Sequence, residues 1–223
     1  MISRYLPYLL LFGCLLGWAP LVSAQSNRTK GALNGVRLGW KWNDKDVLVA
    51  GWESRAHFNE QIQYIRSELS LASSHRLANG HQYSLGYLWI FGDNIQLHRT
   101  FQQISFNQIR ASYIAAHRFM MDGTFGPNTM PRFRARYRWT IVRPLTGTKI
   151  NDREFYLKVN HEMIHDFKEA SYDLEFRWVP LLGYQWARNN KIEGGLDYRI
   201  NSWVNGFQAK QLLRSSLTWY RTF

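Results

Sequence analysis

Between Arg132 and Ile141 the chain alternates without a miss. Phe133, Ala135, Tyr137, Trp139 and Ile141 fall between Arg132, Arg134, Arg136, Arg138 and Thr140. Successive side chains of a strand point to opposite faces, so one face of this segment is apolar and the other carries four guanidiniums. The same period-two pattern recurs from Leu33 to Phe223, in stretches of about ten residues. Two architectures can use such stretches. A sandwich buries the apolar faces against a second sheet, whereas a transmembrane barrel turns them to lipid and keeps the charge in its lumen.

The start of the chain favours an exported protein. Arg4, the apolar run Leu6 to Leu16 and the small residues Val22-Ser23-Ala24 form the three parts of a secretory signal over residues 1–24, cleaved near Ala24. Leu11-Phe12-Gly13-Cys14 loosely resembles a lipid-attachment box, but Phe12 is bulky for it and apolar residues follow Cys14. Cys14 is the single cysteine and would leave with the signal, so residues 25–223, read as one domain, hold no disulfide and no thiol nucleophile. Loss of the signal removes one basic and no acidic residue, lowering the formal charge from +12 to +11.

The charge is accompanied by 10 Trp, 12 Tyr and 13 Phe, yet no stretch after residue 24 approaches eighteen apolar residues. A helical membrane span is therefore excluded, and a charged, aromatic-rich exported chain has the profile of an outer-membrane β-barrel. The positive charge lies on an alternating face and in turns rather than in a surface motif, which argues against nucleic acid as a partner. The partners expected instead are outer-membrane lipid and lipopolysaccharide, the barrel-assembly machinery and small anionic solutes.

Eleven strands are expected, over residues 36–42, 47–57, 62–72, 83–89, 97–106, 112–121, 132–142, 153–164, 174–186, 192–200 and 211–223. Single-chain bacterial barrels have even strand numbers. The expected fold is thus an all-β, antiparallel up-and-down barrel of ten to twelve strands, twelve being favoured, with a further strand near Asn27 to Ala32. Short connections follow strands one, three, five and nine, and longer ones follow four, six and ten, as at Met121 to Pro131. Short turns would mark the periplasmic side. In the third strand Ile65, Leu69 and Leu71 oppose Arg66 and Glu68, and Pro180 demands a bulge or a break in the ninth.

The inward face supplies the candidate site. The ladder Arg132, Arg134, Arg136 and Arg138, with Arg55 and Arg66, would face the acids Glu53, Glu68, Glu154, Glu162, Glu193 and Asp197. Such charge either fills a small barrel with ion pairs or concentrates anions. Trp219 and Phe223 lie on one face of the last strand, which resembles the aromatic-ended signal that outer-membrane barrels present for assembly. Arg221 departs from that signal. Trp40, Trp89 and Trp139, with Trp219, are expected in interfacial girdles.

His161-Glu162-Met163-Ile164-His165 spells the H-E-x-x-H of zinc proteases, which needs a helix to bring both histidines to one ion. Phe155, Leu157 and Val159 lead into it with period two, so it reads as a strand, whose histidines stand roughly 13 Å apart. No metal, cofactor or catalytic residue is assigned. Ser112, His117, Ser171 and His165 could serve a hydrolase at the rim, but no spacing pairs them. The alternatives are a soluble periplasmic sandwich, a lipocalin-like carrier and that rim hydrolase.

The segments Trp52-Glu53-Ser54-Arg55, His98 to Gln103, Arg132 to Arg138, Tyr156 to Glu162 and Leu182 to Tyr198 together resemble the domain of unknown function 2490. Members of that bacterial family look like outer-membrane barrels of similar size. The resemblance implies that architecture and location, with Glu162 an inward acid. It implies no activity and no site residues.

Overall fold

The computed structural model describes residues 28–58, 60–127, 129–202, 204 and 209–223. The expected signal sequence, its cleavage point and Cys14 lie outside them. Eleven strands succeed one another: β1 (Arg28–Lys41), β2 (Asp46–Phe58), β3 (Ile62–Arg76), β4 (Gln82–Gly92), β5 (Ile95–Ile109), β6 (Ile114–Gly126), β7 (Thr129–Pro144), β8 (Glu154–Lys168), β9 (Ser171–Ala187), β10 (Asn190–Asn201) and β11 (Lys210–Thr222). Each pairs with its neighbours in sequence, and β11 returns to β1, so the sheet closes into a barrel.

All ten hairpin pairings are antiparallel, but the closing pair is parallel, with Arg28 beside Gln211 and Gly39 beside Thr222. An odd number of up-and-down strands leaves the first and last pointing the same way, so this seam follows from the count. Eleven lies within the expected range, but the preference for twelve and for an all-antiparallel ring does not hold among the described residues. The stretch expected to form a separate strand before β1 is instead the first half of β1. Following the register once round the ring leads back to β1 about 14 residues from the start, a stagger that tilts the strands by roughly 40–45°.

The hairpins also differ from expectation. Met121 to Pro131 is not a long loop: β6 runs to Gly126 and β7 starts at Thr129. The connection after β4 is likewise short, at residues 93–94. Each end of the barrel has one long connection, 145–153 at the end where Phe223 lies and 202–209 at the other, so turn length does not tell the ends apart.

Face assignment follows parity except at local register shifts, in the β2–β3, β6–β7 and β9–β10 pairings. Arg55 opposes Arg66 and Ala56 opposes Tyr64, which leaves Ile65 as the extra residue of a bulge. The bulge turns Ile65 into the lumen beside Arg66, although parity with Leu69 had placed it outside. At Pro180 the strand is unbroken, but the β9–β10 pairing lapses between Leu181 and Trp178 and resumes in the same register. Proline has no N–H to give to that ladder, so the expected interruption is found there as a gap and not as a bulge.

The outer face carries the large apolar side chains. Trp40, Tyr83, Phe155 and Trp186 sit toward the Phe223 end, and Phe58, Tyr64, Phe125, Phe133 and Phe167 toward the other. Two pairs of polar tips on this face satisfy each other: His117 Nδ1 meets the Tyr137 hydroxyl at 2.9 Å and His165 Nδ1 meets Tyr172 at 2.8 Å. Phe223 is bound into the seam, its N–H donating to Gly39 O at 2.8 Å while its ring stacks on Trp40 at 5.8 Å. Arg221 lays its guanidinium 4.6 Å over the Phe223 ring.

The parallel register is directly testable, because residues 25–223 lack cysteine. Leu38→Cys with Arg221→Cys, neighbours across the seam on the outer face, should oxidise to a disulfide. Leu38→Cys with Trp219→Cys should not, which a non-reducing gel of the unfolded protein reads.

Candidate functional site: the charged lumen

The barrel encloses a cavity of about 710 Å³, lined by 13 cationic side chains (12 Arg and Lys158) against six carboxylates. Ten of the strands alternate so that these residues point inward from a rigid sheet. Of the site residues expected from sequence, Arg132, Arg134, Arg136, Arg138, Glu53, Arg55, Arg66, Glu68, Glu162, Glu193 and Asp197 all line it. Glu154 does not. It has inward parity, but as the first residue of β8 it lies at the rim, where its carboxylate accepts the Asn151 N–H at 2.9 Å.

Glu162 is the hub. Its carboxylate, 1% exposed, accepts from Arg118 at 2.7 Å and from Arg136 at 3.0 Å on both oxygens. Arg138 at 3.2 Å and Arg177 at 3.5 Å complete a set of four guanidiniums around one carboxylate. The Nε hydrogens of Arg118, Arg136 and Arg138 find no acceptor among the described residues. Charge is thus balanced only in part here, and the hub keeps a net positive surplus.

Other carboxylates repeat the motif with fewer partners. Asp122 takes Arg134 at 2.6 Å, with Arg99 and Arg136 each at 3.5 Å. Glu68 takes Arg66 at 2.9 Å and Arg55 at 3.1 Å, and Arg55 also binds Glu53. Glu193 accepts from Lys158 and from the Tyr156 hydroxyl, both at 2.7 Å, with Lys191 at 3.3 Å. The Tyr156 ring reaches Glu193 by lying over Gly183, its partner on β9, where a Cβ would fall 2.1 Å from the ring. Arg132 pairs with Asp166, Arg177 with Glu175 and Arg199 with Asp197.

Sequence reading left out Arg99, Arg118, Asp122, Lys158, Glu175, Arg177, Arg199 and Arg214. For Arg177 and Arg214 the signal was present: Leu174, Phe176 and Trp178 set the outer face of β9, and Leu213 and Leu217 set that of β11. Arg99 carried no such signal, because β5 has apolar residues of both parities, with Leu97 and Phe101 on one and Ile104 on the other.

In β8, Glu162 points inward while His161 and His165 share the outer face, His161 against Phe176 and His165 against Tyr172. The H-E-x-x-H residues therefore stand on opposite sides of the sheet and form no zinc-protease geometry. His117 is likewise committed to Tyr137, and Ser171 Oγ donates to Lys168 O at 2.6 Å, so neither forms a nucleophile–base couple. Closure of a single sheet replaces the sandwich alternative. A carrier of apolar ligands would need an apolar interior, the reverse of this one.

A family model described as a protein of unknown function (DUF2490) matches residues 37–209. No curated protein and no solved structure matches the chain.

The hub makes a stability prediction. Glu162→Gln removes the carboxylate that four guanidiniums share, leaving Arg118 and Arg138 with none, and should cost about 3 kcal/mol in urea unfolding. Glu154→Gln, at the rim, should cost less than about 0.5 kcal/mol. Equal shifts for the two would contradict the hub.

Proposed function

The chain belongs to the DUF2490 family, and we propose that it works as an outer-membrane β-barrel forming a narrow passage that prefers small anions. The observation that carries this reading is the imbalance of the lumen, 13 cations to six carboxylates on the walls of one cavity, with only Asp122 and Asp166 added as further acids paired to those arginines. In a low-dielectric tube a surplus of fixed positive charge lowers the energy of an entering anion and raises that of a cation. Side chains paired along the lumen wall, above all those at Glu162, narrow the path and limit it to small solutes.

The location rests on the outer face. Strands of 11 to 17 residues are long enough for the about 9–11 that a tilted strand needs to cross a bilayer. Exposed Trp40, Trp52, Trp89 and Trp139 suit lipid and its interfaces. His–Tyr hydrogen bonds on that face spare polar tips the cost of standing unpaired in hydrocarbon. In this reading residues 1–24 direct export, Trp219 and Phe223 present the closing strand to the barrel-assembly machinery, and lipopolysaccharide and lipid surround the barrel.

Purified protein in a planar bilayer under a potassium chloride gradient should give small, discrete conductance steps whose reversal potential has the sign of anion selectivity. Arg136→Glu with Arg138→Glu should reduce that selectivity or invert it. Silence in the bilayer, or cation selectivity of the unaltered protein, would overturn the passage.

A further inference from the structure

One buried cation of the lumen has no ion pair among the described residues. Arg214 on β11 is 6% exposed, and its Nε and Nη1 have no acceptor there. Its register partner across the β10–β11 ladder is Asp197, the natural counter-ion. Asp197, however, spends both oxygens on Arg199, whose Nε donates at 2.9 and 3.0 Å. The other nearby acids are taken too: Glu53 and Glu68 hold Arg55 and Arg66.

Glycine on the neighbouring strand sets the position of Arg214. On its other side the register partner is Gly31 of β1, and Gly31 in turn pairs with His57 of β2. With no side chain at Gly31, the arginine stem lies across β1, its Cγ 3.4 Å from where a Cβ would be, and His57 is the next residue along that row, on β2. Ser216, next inward on β11, also has a buried hydroxyl with no partner among the described residues. Arg214, Ser216, His57 and Arg199 all line the same cavity.

A buried guanidinium without a counter-charge is costly, and its planar N–H groups match the oxygens of a phosphoryl group. We propose that Arg214 and Ser216, with His57 in the row of Arg214, form a binding site for the phosphoryl oxyanion of a small solute within the lumen. The site deepens the anion-passage reading by naming a substrate class. It rests on that reading only in requiring that solutes reach the lumen.

The test is a titration of the folded, detergent-solubilised full chain with inorganic phosphate in low-chloride buffer, followed by calorimetry and by thermal unfolding. The unaltered protein should bind saturably and unfold at a higher temperature with phosphate. Arg214→Gln should weaken binding at least about tenfold and lose the phosphate-dependent shift, while being no less stable than the parent without phosphate, since it removes an unpaired buried charge. Arg214→Lys keeps the charge but not the planar donors, and should also weaken binding. It decides the matter should the glutamine variant not fold. Lys45→Gln, in an exposed turn, should bind as the parent does. No saturable binding by the parent, or equal binding by the Arg214 variants, would overturn the site. Phosphate binding in a barrel silent in bilayers would sink the passage and leave the site standing. A conducting barrel indifferent to phosphate would do the reverse.

Discussion

Backbone N–H and C=O groups at a sheet edge must find partners, and where water is absent each one left over costs several kcal/mol. Ten hairpins satisfy most of this chain, but they leave β1 and β11 with one open edge each. The parallel seam between them removes both edges at once. It holds from Arg28 beside Gln211 to Gly39 beside Thr222, and Phe223 extends it through its own N–H and carbonyl to Gly39 and Lys41. Everything else follows from closure: only a closed ring has an inside, and only then do alternate residues become a lumen and an outer wall.

Closure forces a choice on the charged face. Thirteen cations turned into a confined space would repel one another unless acids were placed among them. The barrel supplies fewer acids than arginines and shares several of them. Glu162 serves four guanidiniums, Asp122 three and Glu193 two cations with a tyrosine. Sharing keeps the interior folded without neutralising it. A barrel filled only for stability would do better with apolar side chains or matched pairs, because isolated buried ion pairs gain little over well-packed hydrophobic residues. The surplus at Arg214 and around Glu162 is therefore read as function.

Much of this was written in the sequence. Alternation places all eleven strands and, in β7, the face of each residue, because parity is a local property. What it missed was long-range or irregular. The bulge at Ile65 shifts parity by one residue and is set by the register with β2, not by the residues of β3. Arg99 on β5 is not assigned by alternation because that strand has apolar residues on both faces. The strand count was pulled toward twelve by a rule about antiparallel closure, which a parallel seam sidesteps. Which carboxylate meets which guanidinium depends on strand stagger around the ring, and no single segment contains that information.

In the proposed arrangement one face of each strand meets lipid and the other a charged lumen. Single cysteines along β7, at Phe133, Ala135, Tyr137 and Trp139 and in turn at Arg132, Arg134, Arg136 and Arg138, would each carry a fluorescent label in protein reconstituted into lipid vesicles. Quenching by bromine atoms on the lipid chains should be strong at the first four positions and weak at the second four, with period two along the strand. Uniformly weak quenching would show a protein that does not span the bilayer, and stronger quenching at the arginine positions would show that the faces are reversed.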